Sequence, residues 1–120
     1  MIRLRLKRVY EPADPEDGAR FLVERLWPRG IGKERARLDG WLKDAAPSAE
    51  LRSWYSHDTA KWTEFRDRYR AELSASPESI APLRDAARAG LVTLVFAAKD
   101  PQHSSALVLK DFLEAEDPPP

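Results

Sequence analysis

The run Leu91-Val92-Thr93-Leu94-Val95-Phe96-Ala97-Ala98 constrains this chain more than any other feature. It is short, nearly continuous in apolar residues, and rich in β-branched and aromatic side chains. Such a run is expected of a strand covered on both faces of its sheet. A patterned helix precedes it. Ser76-Pro77 opens that helix with proline at the first helical position, Ile80, Leu83 and Ala87 form its buried side, and Gly90 ends it. A second helix follows from about Ser104 to Glu114, burying Leu107, Val108 and Phe112 or their neighbours. Helix, buried strand, helix is the pattern of a parallel sheet joined by crossovers, with this last strand central.

The rest of the chain fits that frame. Ile2, Leu4 and Leu6 alternate with Arg3, Arg5 and Lys7, which predicts a strand with one wet face. Glu11 to Gly18 carries the turn chemistry of a loop. Arg20 to Trp27 favours a second strand, with a short helix as the alternative, and Pro28-Arg29-Gly30-Ile31-Gly32 is a loop. Leu38, Trp41 and Leu42 stand at helical spacing, and Pro47 breaks that helix. Ser48 caps the next short helix, through Leu51, Trp54 and Tyr55. Asp58 then caps a longer one with Trp62, Phe65, Tyr69 and Leu73 as its apolar stripe. The expectation is an α/β fold: one small domain over residues 1–115, with a three- to four-stranded, mostly parallel sheet flanked by helices. Residues 116–120, rich in proline, read as a disordered tail.

Composition narrows the function classes. There are no cysteines among the 120 residues, so disulfides, thiolate zinc sites and cysteine nucleophiles are excluded together. No apolar run approaches the roughly 20 residues of a membrane span. The first residues alternate apolar and basic side chains instead of forming a signal-peptide block. A cytoplasmic location without membrane association is expected. The 20 Lys and Arg balance 20 Asp and Glu. A general nucleic-acid binder usually carries a basic excess, so the balance argues against one and favours a local anion pocket over a long basic track. The first forty residues hold ten cations against seven carboxylates, a modest asymmetry.

In parallel sheets, ligands bind beyond the C-terminal strand ends. The last strand delivers Lys99-Asp100-Pro101-Gln102-His103 there, and the following helix begins beside them. If the second strand is parallel, it brings Arg25, Trp27 and Arg29 to the same edge. Arg25 presents a guanidinium to an anion or, more blandly, forms an internal salt bridge. Lys99 and Asp100 act as an anion-holding or acid/base pair, or Asp100 simply caps a helix. His103 moves protons or is a solvated first-turn histidine. His57 is a further general-base candidate, although the adjacent Asp58 is better placed as a cap than as its partner. Trp54 joins Trp27 as pocket wall. Two histidines are a thin basis for a metal site, so none is expected, nor any cofactor. Ser104-Ser105 lacks the glycines of a nucleophile elbow, and no phosphate-binding glycine fingerprint is present. Trp62, Phe65 and Tyr69 at helical spacing read as core ahead of a base-stacking platform.

Several of these motifs, in order, resemble one family. Lys7-Arg8-Val9-Tyr10-Glu11, Asp17-Gly18-x-Arg20 and Val23-Glu24-Arg25-Leu26-Trp27-Pro28-Arg29-Gly30 are followed by Pro47-Ser48-x-x-Leu51-Arg52-x-Trp54 and His57-Asp58. Trp62-x-x-Phe65-x-x-x-Tyr69 and Ala97-Ala98-Lys99-Asp100-x-x-His103 complete the set. From about Lys7 to Leu113 the chain resembles the YeaO-like branch of domain of unknown function 488. The resemblance implies a small bacterial cytosolic α/β protein with no established reaction. It carries over Arg25, Arg29, His57, Lys99, Asp100 and His103 as candidate functional positions. In the wider family the segment from Ala97 onward looks like Cys-x-Glu-x-x-x-x-Cys-His-Arg. Here Ala97 and small residues such as Ser104 replace the cysteines, which removes the thiols such a site would need.

Three functional expectations follow. The first is a pocket for a phosphate or nucleotide-like anion, with or without catalysis. Arg25, Arg29 and Lys99 would hold the anion, His57, His103 and Asp100 would move protons, and Trp27 and Trp54 would wall the site. The second is a non-enzymatic module that binds protein or nucleic acid through the basic first strand and the Trp-Pro-Arg-Gly loop. The third is a structural homodimer that pairs through an exposed first strand.

Overall fold

A computed structural model describes residues 2–116. Four strands form one sheet, β1 (Leu4–Arg8), β2 (Ala19–Leu22), β3 (Gly40–Trp41) and β4 (Val92–Phe96), in the order β1-β4-β2-β3. Every pairing is parallel. The helices are α1 (Lys33–Ala36), α2 (Ala49–Tyr55), α3 (Trp62–Ala75), α4 (Ala81–Ala89) and α5 (Ser105–Glu116). As expected, β4 is internal, and all five of its residues are buried.

The two faces of the sheet are covered unequally. Leu4, Val23, Val92, Leu94 and Phe96 pack under residues of α2, α3, α4 and α5. The α3 stripe supplies Phe65, Tyr69 and Leu73, all buried. The other face carries a smaller cluster of Val9, Leu22, Ile31, Ala36 and Val95, with Trp27, Leu38 and Trp41 against it. Only α1 and its flanking loops cover that side. Its remaining polar positions are satisfied internally. Arg20, 4% exposed, donates to Asp17 Oδ2 (2.6 Å), to the Ala36 carbonyl (2.9 and 3.2 Å) and to the Arg37 carbonyl (3.2 Å). Lys7 Nζ reaches both Asp17 oxygens (2.9 and 3.1 Å), and Thr93 Oγ1 donates to the Asp17 carbonyl (2.7 Å). The guanidinium thus ties the end of α1 to the sheet. Gly18 (φ 67°) precedes β2 where a Cβ would lie 2.2 Å from the Leu91 carbonyl oxygen, so no other residue fits.

Local signals acted largely as expected. Ser48 caps α2, its Oγ accepting from Leu51 N at 3.2 Å, and Glu72 of α3 grips the Ser48 amide and hydroxyl (2.9 and 2.6 Å). Asp58 caps a 3-10 turn (Thr59–Lys61) that leads into α3. Ser76-Pro77 opens a 3-10 turn (Pro77–Ser79), and α4 proper starts at Ala81. In α5 the buried positions are Ala106, Val108, Leu109 and Leu113, the neighbours of Leu107 and Phe112 as much as the named residues. The outer margin of β1 is capped by carboxylates. Glu114 accepts from Leu4 N (3.0 Å) and Glu11 from Arg8 N (2.8 Å).

Two expectations are corrected. The second strand does not run to Trp27. It ends at Leu22, with one last rung from Val23 N to the Val95 carbonyl (3.1 Å), before the chain turns off the sheet. Leu38, Trp41 and Leu42 do not share a helix. Gly40 and Trp41 form the two-residue edge strand β3 beside Phe21 and Leu22, and the helix lies earlier, in α1. Gly40 decides this locally, because a Cβ there would come within 2.9 Å of the Phe21 ring. Three apolar residues at helical spacing are too short a run to fix a helix, and pairing with the neighbouring strand overrode it. Glu116 ends α5, and residues 117–120 of the expected tail lie outside the described residues.

Candidate functional site

Beyond the C-terminal ends of β2 and β4, the start of α5 and the end of α2 enclose a cleft. Two adjoining cavities of about 350 and 560 Å3 share Glu24, Arg52, Tyr55, His57, Ala98 and His103 as walls. These volumes suit a small ligand.

Glu24 is held by the end of the sheet. Where the β2–β4 ladder runs out, its Oε2 accepts the Ala97 N–H (3.0 Å), continuing the ladder with a side chain. Trp41 Nε1 donates to the Glu24 carbonyl (2.6 Å) and fixes the backbone. Burial pushes the Glu24 carboxyl above the usual range, against the pull of the Ala97 N–H and of the Arg52 and His57 charges. Arg52 faces the cleft from α2, and its guanidinium makes no ion pair or hydrogen bond with a described residue. Tyr55, three residues on and so on the same helix face, is buried and stacks on Phe65 (4.3 Å). Burial, with Asp100 and Asp58 nearby, pushes its phenol up, so it remains a proton-bearing donor.

After α2 the chain takes two successive left-handed residues, Ser56 (φ 46°) and His57 (φ 59°). Ser56 N to the Arg52 carbonyl and Asp58 N to the Tyr55 carbonyl (both 2.9 Å) hold this turn. Such backbone costs about 1–3 kcal/mol per residue and places His57 at the cleft mouth. On the opposite wall, His103 Nδ1 pairs with Asp100 Oδ2 at 2.6 Å, and the His103 ring sets against Trp62 at 5.2 Å. The hydrogen bond from His103 holds the Asp100 carboxyl below its usual range. With Nδ1 committed, Nε2 is the nitrogen left for a ligand. Lys99 is exposed at the rim. Ser104 is no free nucleophile, since its Oγ donates to the Pro101 carbonyl (2.9 Å) and accepts from Leu107 N (3.2 Å). Among the described residues no three His, Cys, Asp or Glu side chains group to hold a metal ion.

His57, Lys99, Asp100 and His103 therefore come together. The other expected residues do not join them. Arg25 donates to the Pro47 and Ala46 carbonyls (3.1 and 3.3 Å) and lines a separate cavity with Glu72. Trp27 closes its own turn through Nε1 to the Ile31 carbonyl (2.6 Å) and packs edge-on against Trp41. Arg29 is exposed in that turn. Trp54 points away from the cleft, under Arg68 (4.4 Å) and Lys61 (5.1 Å). Glu24, Arg52 and Tyr55 take their places. The early end of β2 explains the exchange: with the strand ending near Val23, Glu24 is the next side chain at the edge. Arg52 and Tyr55 were legible as an i, i+3 pair behind the Ser48 cap.

Fold and cleft together define a small parallel α/β domain with a charged recess at the C-terminal edge of its sheet. Residues 3–117 match the family model described as the inactive DUF488-N3 subclade, and the chain belongs to that family. It is similar to uncharacterized protein Rv3073c of Mycobacterium tuberculosis, at 46% identity over 111 residues, 92% of this chain and 93% of the relative. The same figures relate it to uncharacterized protein Mb3100c of Mycobacterium bovis. It is also similar to uncharacterized protein YeaO of Escherichia coli, at 41% identity over 114 residues, 95% of this chain and 99% of the relative. No solved structure matches it. None of the described helices is long and apolar enough to cross a membrane.

Proposed function

We propose that this chain is a binding domain whose cleft captures a small phosphorylated or nucleotide-like anion and does not turn it over. The observation that carries the reading is Arg52. Its guanidinium lines the recess together with Glu24, His57 and His103, and makes no ion pair or hydrogen bond with a described residue. With none of its N–H groups hydrogen-bonded to a described residue, the guanidinium keeps its donor fork free for an anion. Arg52 supplies a planar fork, His57 and the free Nε2 of His103 present ring nitrogens to the ligand, and the Tyr55 hydroxyl stays protonated to donate. Glu24, with Oε2 committed to the Ala97 N–H, has its other oxygen to accept a ligand N–H or O–H. Absence of turnover is supported by the description of the family as inactive, by the lack of cysteine, and by the commitment of Ser104 to capping α5.

The test is thermal denaturation against inorganic phosphate, nucleoside monophosphates and sugar phosphates. At 100 times its Kd a ligand stabilises by about 2.7 kcal/mol, a readily measured Tm shift. That shift is expected in the wild type and lost in Arg52→Ala. Equal shifts in both proteins reject the cleft as the site. Chemical conversion of the stabilising ligand, followed by phosphorus NMR, rejects the non-catalytic half of the proposal.

A further inference from the structure

A second group of cations lies beside the cleft, gathered on Tyr10. The Arg8 guanidinium sits over the Tyr10 ring, 5.0 Å from its centroid. Arg35 Nη2 donates to the Tyr10 carbonyl (3.3 Å), and the Tyr10 hydroxyl donates to the Arg29 carbonyl (3.1 Å). Arg29 and Arg35 are exposed. None of the three arginines forms an ion pair with a described residue. Two carboxylates belong to the same neighbourhood. Glu11 is turned to the Arg8 amide (2.8 Å), and Glu34 lies in α1 between Lys33 and Arg35. Cations still predominate there, since Arg37 lines a recess together with Arg35 and Glu34.

This group is joined to the cleft. Arg8 Nε and Nη2 donate to the carbonyls of Ala98 (2.9 Å) and Ala97 (3.3 Å). Those two residues form part of the cleft wall, and Lys99 follows them. Arg8 thus links the group around Tyr10 to the wall of the cleft that carries Lys99 and Arg52. A free mononucleotide in the cleft leaves the group around Tyr10 unused. A chain of phosphates would use both, and guanidinium forks suit successive phosphates. The Tyr10 ring packs on the smaller core cluster and under the Arg8 guanidinium, so it holds the arginines in place and the phosphates are the groups recognised here. The balanced overall charge fits a short site of this kind and not a duplex track.

We infer that the cleft's ligand is one unit of a single-stranded nucleic acid whose neighbouring phosphates lie on the arginines around Tyr10. The inference rests on the cleft being an anion site, and it extends the bound partner from a small molecule to a chain. The probes are fluorescein-labelled oligouridylate and oligothymidylate of about twelve nucleotides, within the length one small domain covers. Anisotropy should show binding that weakens roughly 50-fold between 50 and 200 mM salt, the response of about four phosphate contacts at a slope near −0.7 each. Arg29→Glu with Arg35→Glu should weaken oligonucleotide binding by at least tenfold while leaving the Tm shift from a mononucleotide intact. Arg70→Glu with Arg88→Glu, exposed cations outside this group, makes the same change in net charge and should weaken oligonucleotide binding far less. Equal losses from the two pairs would reduce the effect to bulk charge and overturn the inference. Absence of oligonucleotide binding at 50 mM salt would also overturn it, as would displacement by polyglutamate at equal charge concentration, which would mark an acidic protein partner. In each case a mononucleotide shift that depends on Arg52 would leave the cleft reading standing.

Discussion

On the far face of the sheet, Arg20 gives its guanidinium to Asp17 and to the carbonyls that end α1, while Lys7 closes the same carboxylate from the other side. At the C-terminal edge Arg52 lines the cleft without a hydrogen bond or ion pair to a described residue, in company with histidines held on a strained turn and a capped loop. Both are arginines on regular elements of one small domain. The first is spent on holding layers together, and its removal should be felt in stability. The second holds nothing together, and its removal should be felt only in binding. The separation of these two roles supports the proposal that binding sits at one end of the sheet.

The strongest way to break the comparison is Arg20→Ala. It takes one of two cations from Asp17, leaves the Ala36 and Arg37 carbonyls without their donor, and should cost about 3 kcal/mol in urea unfolding. A loss below 1 kcal/mol would mean that the network is ornamental. Gly18→Ala should follow, costing more than about 1 kcal/mol, because the left-handed backbone and the Leu91 carbonyl both oppose a side chain. Its Tm gives the readout. The same network sets an acid limit. Burial alone would raise the Asp17 pKa, but the hydrogen bonds from Lys7, the Asp14 amide and Arg20 outweigh it and leave it lowered. A lowered carboxyl contributes stability above its unfolded value near 3.9 and loses it as pH falls through the folded value. Stability of the wild type should therefore drop more steeply than that of Asp17→Asn as pH falls below roughly 4.

Arg52→Ala sharpens the other half. Its unfolding free energy should stay within about 0.5 kcal/mol of wild type even as ligand stabilisation disappears. The smallest effect is expected from Glu24→Gln. The amide oxygen still accepts from Ala97, and the burial cost of a carboxylate is removed. Because the folded carboxyl titrates above its unfolded value, that cost sets in as pH rises past about 4.3. The Gln variant should therefore gain on wild type from pH 4 to 7, and a flat difference across that range would show that burial does not govern Glu24.

Much of the architecture is legible in the sequence. The uniform burial of β4 is written in its apolar run, and the caps at Ser48 and Asp58 in their side chains. His57, Lys99, Asp100 and His103 share the cleft because the last strand and the α2 turn deliver them by chain position. The remainder depends on where β2 ends. A run such as Arg20 to Trp27 carries no mark of the rung at which its partner stops, and a shift of a few residues replaces Arg25 by Glu24 at the rim. Arg25 also has a bland partner that pattern cannot supply, the bare carbonyls of Ala46 and Pro47, which become neighbours only when the chain folds. Trp27 and Trp54 are equally silent, because an indole reads alike whether it walls a pocket or closes a turn.

The carboxylates along β1 bear on how copies of this molecule meet. A second chain arriving there finds two amides already occupied, by Glu114 from the last helix and Glu11 from the following loop. Docking would require it to expel both acids and uncouple α5 from the first strand. At the opposite margin β3 offers only two residues of ladder. Both ends of the first strand are thus held by the chain's own side chains, and a chain that pairs there must displace them first.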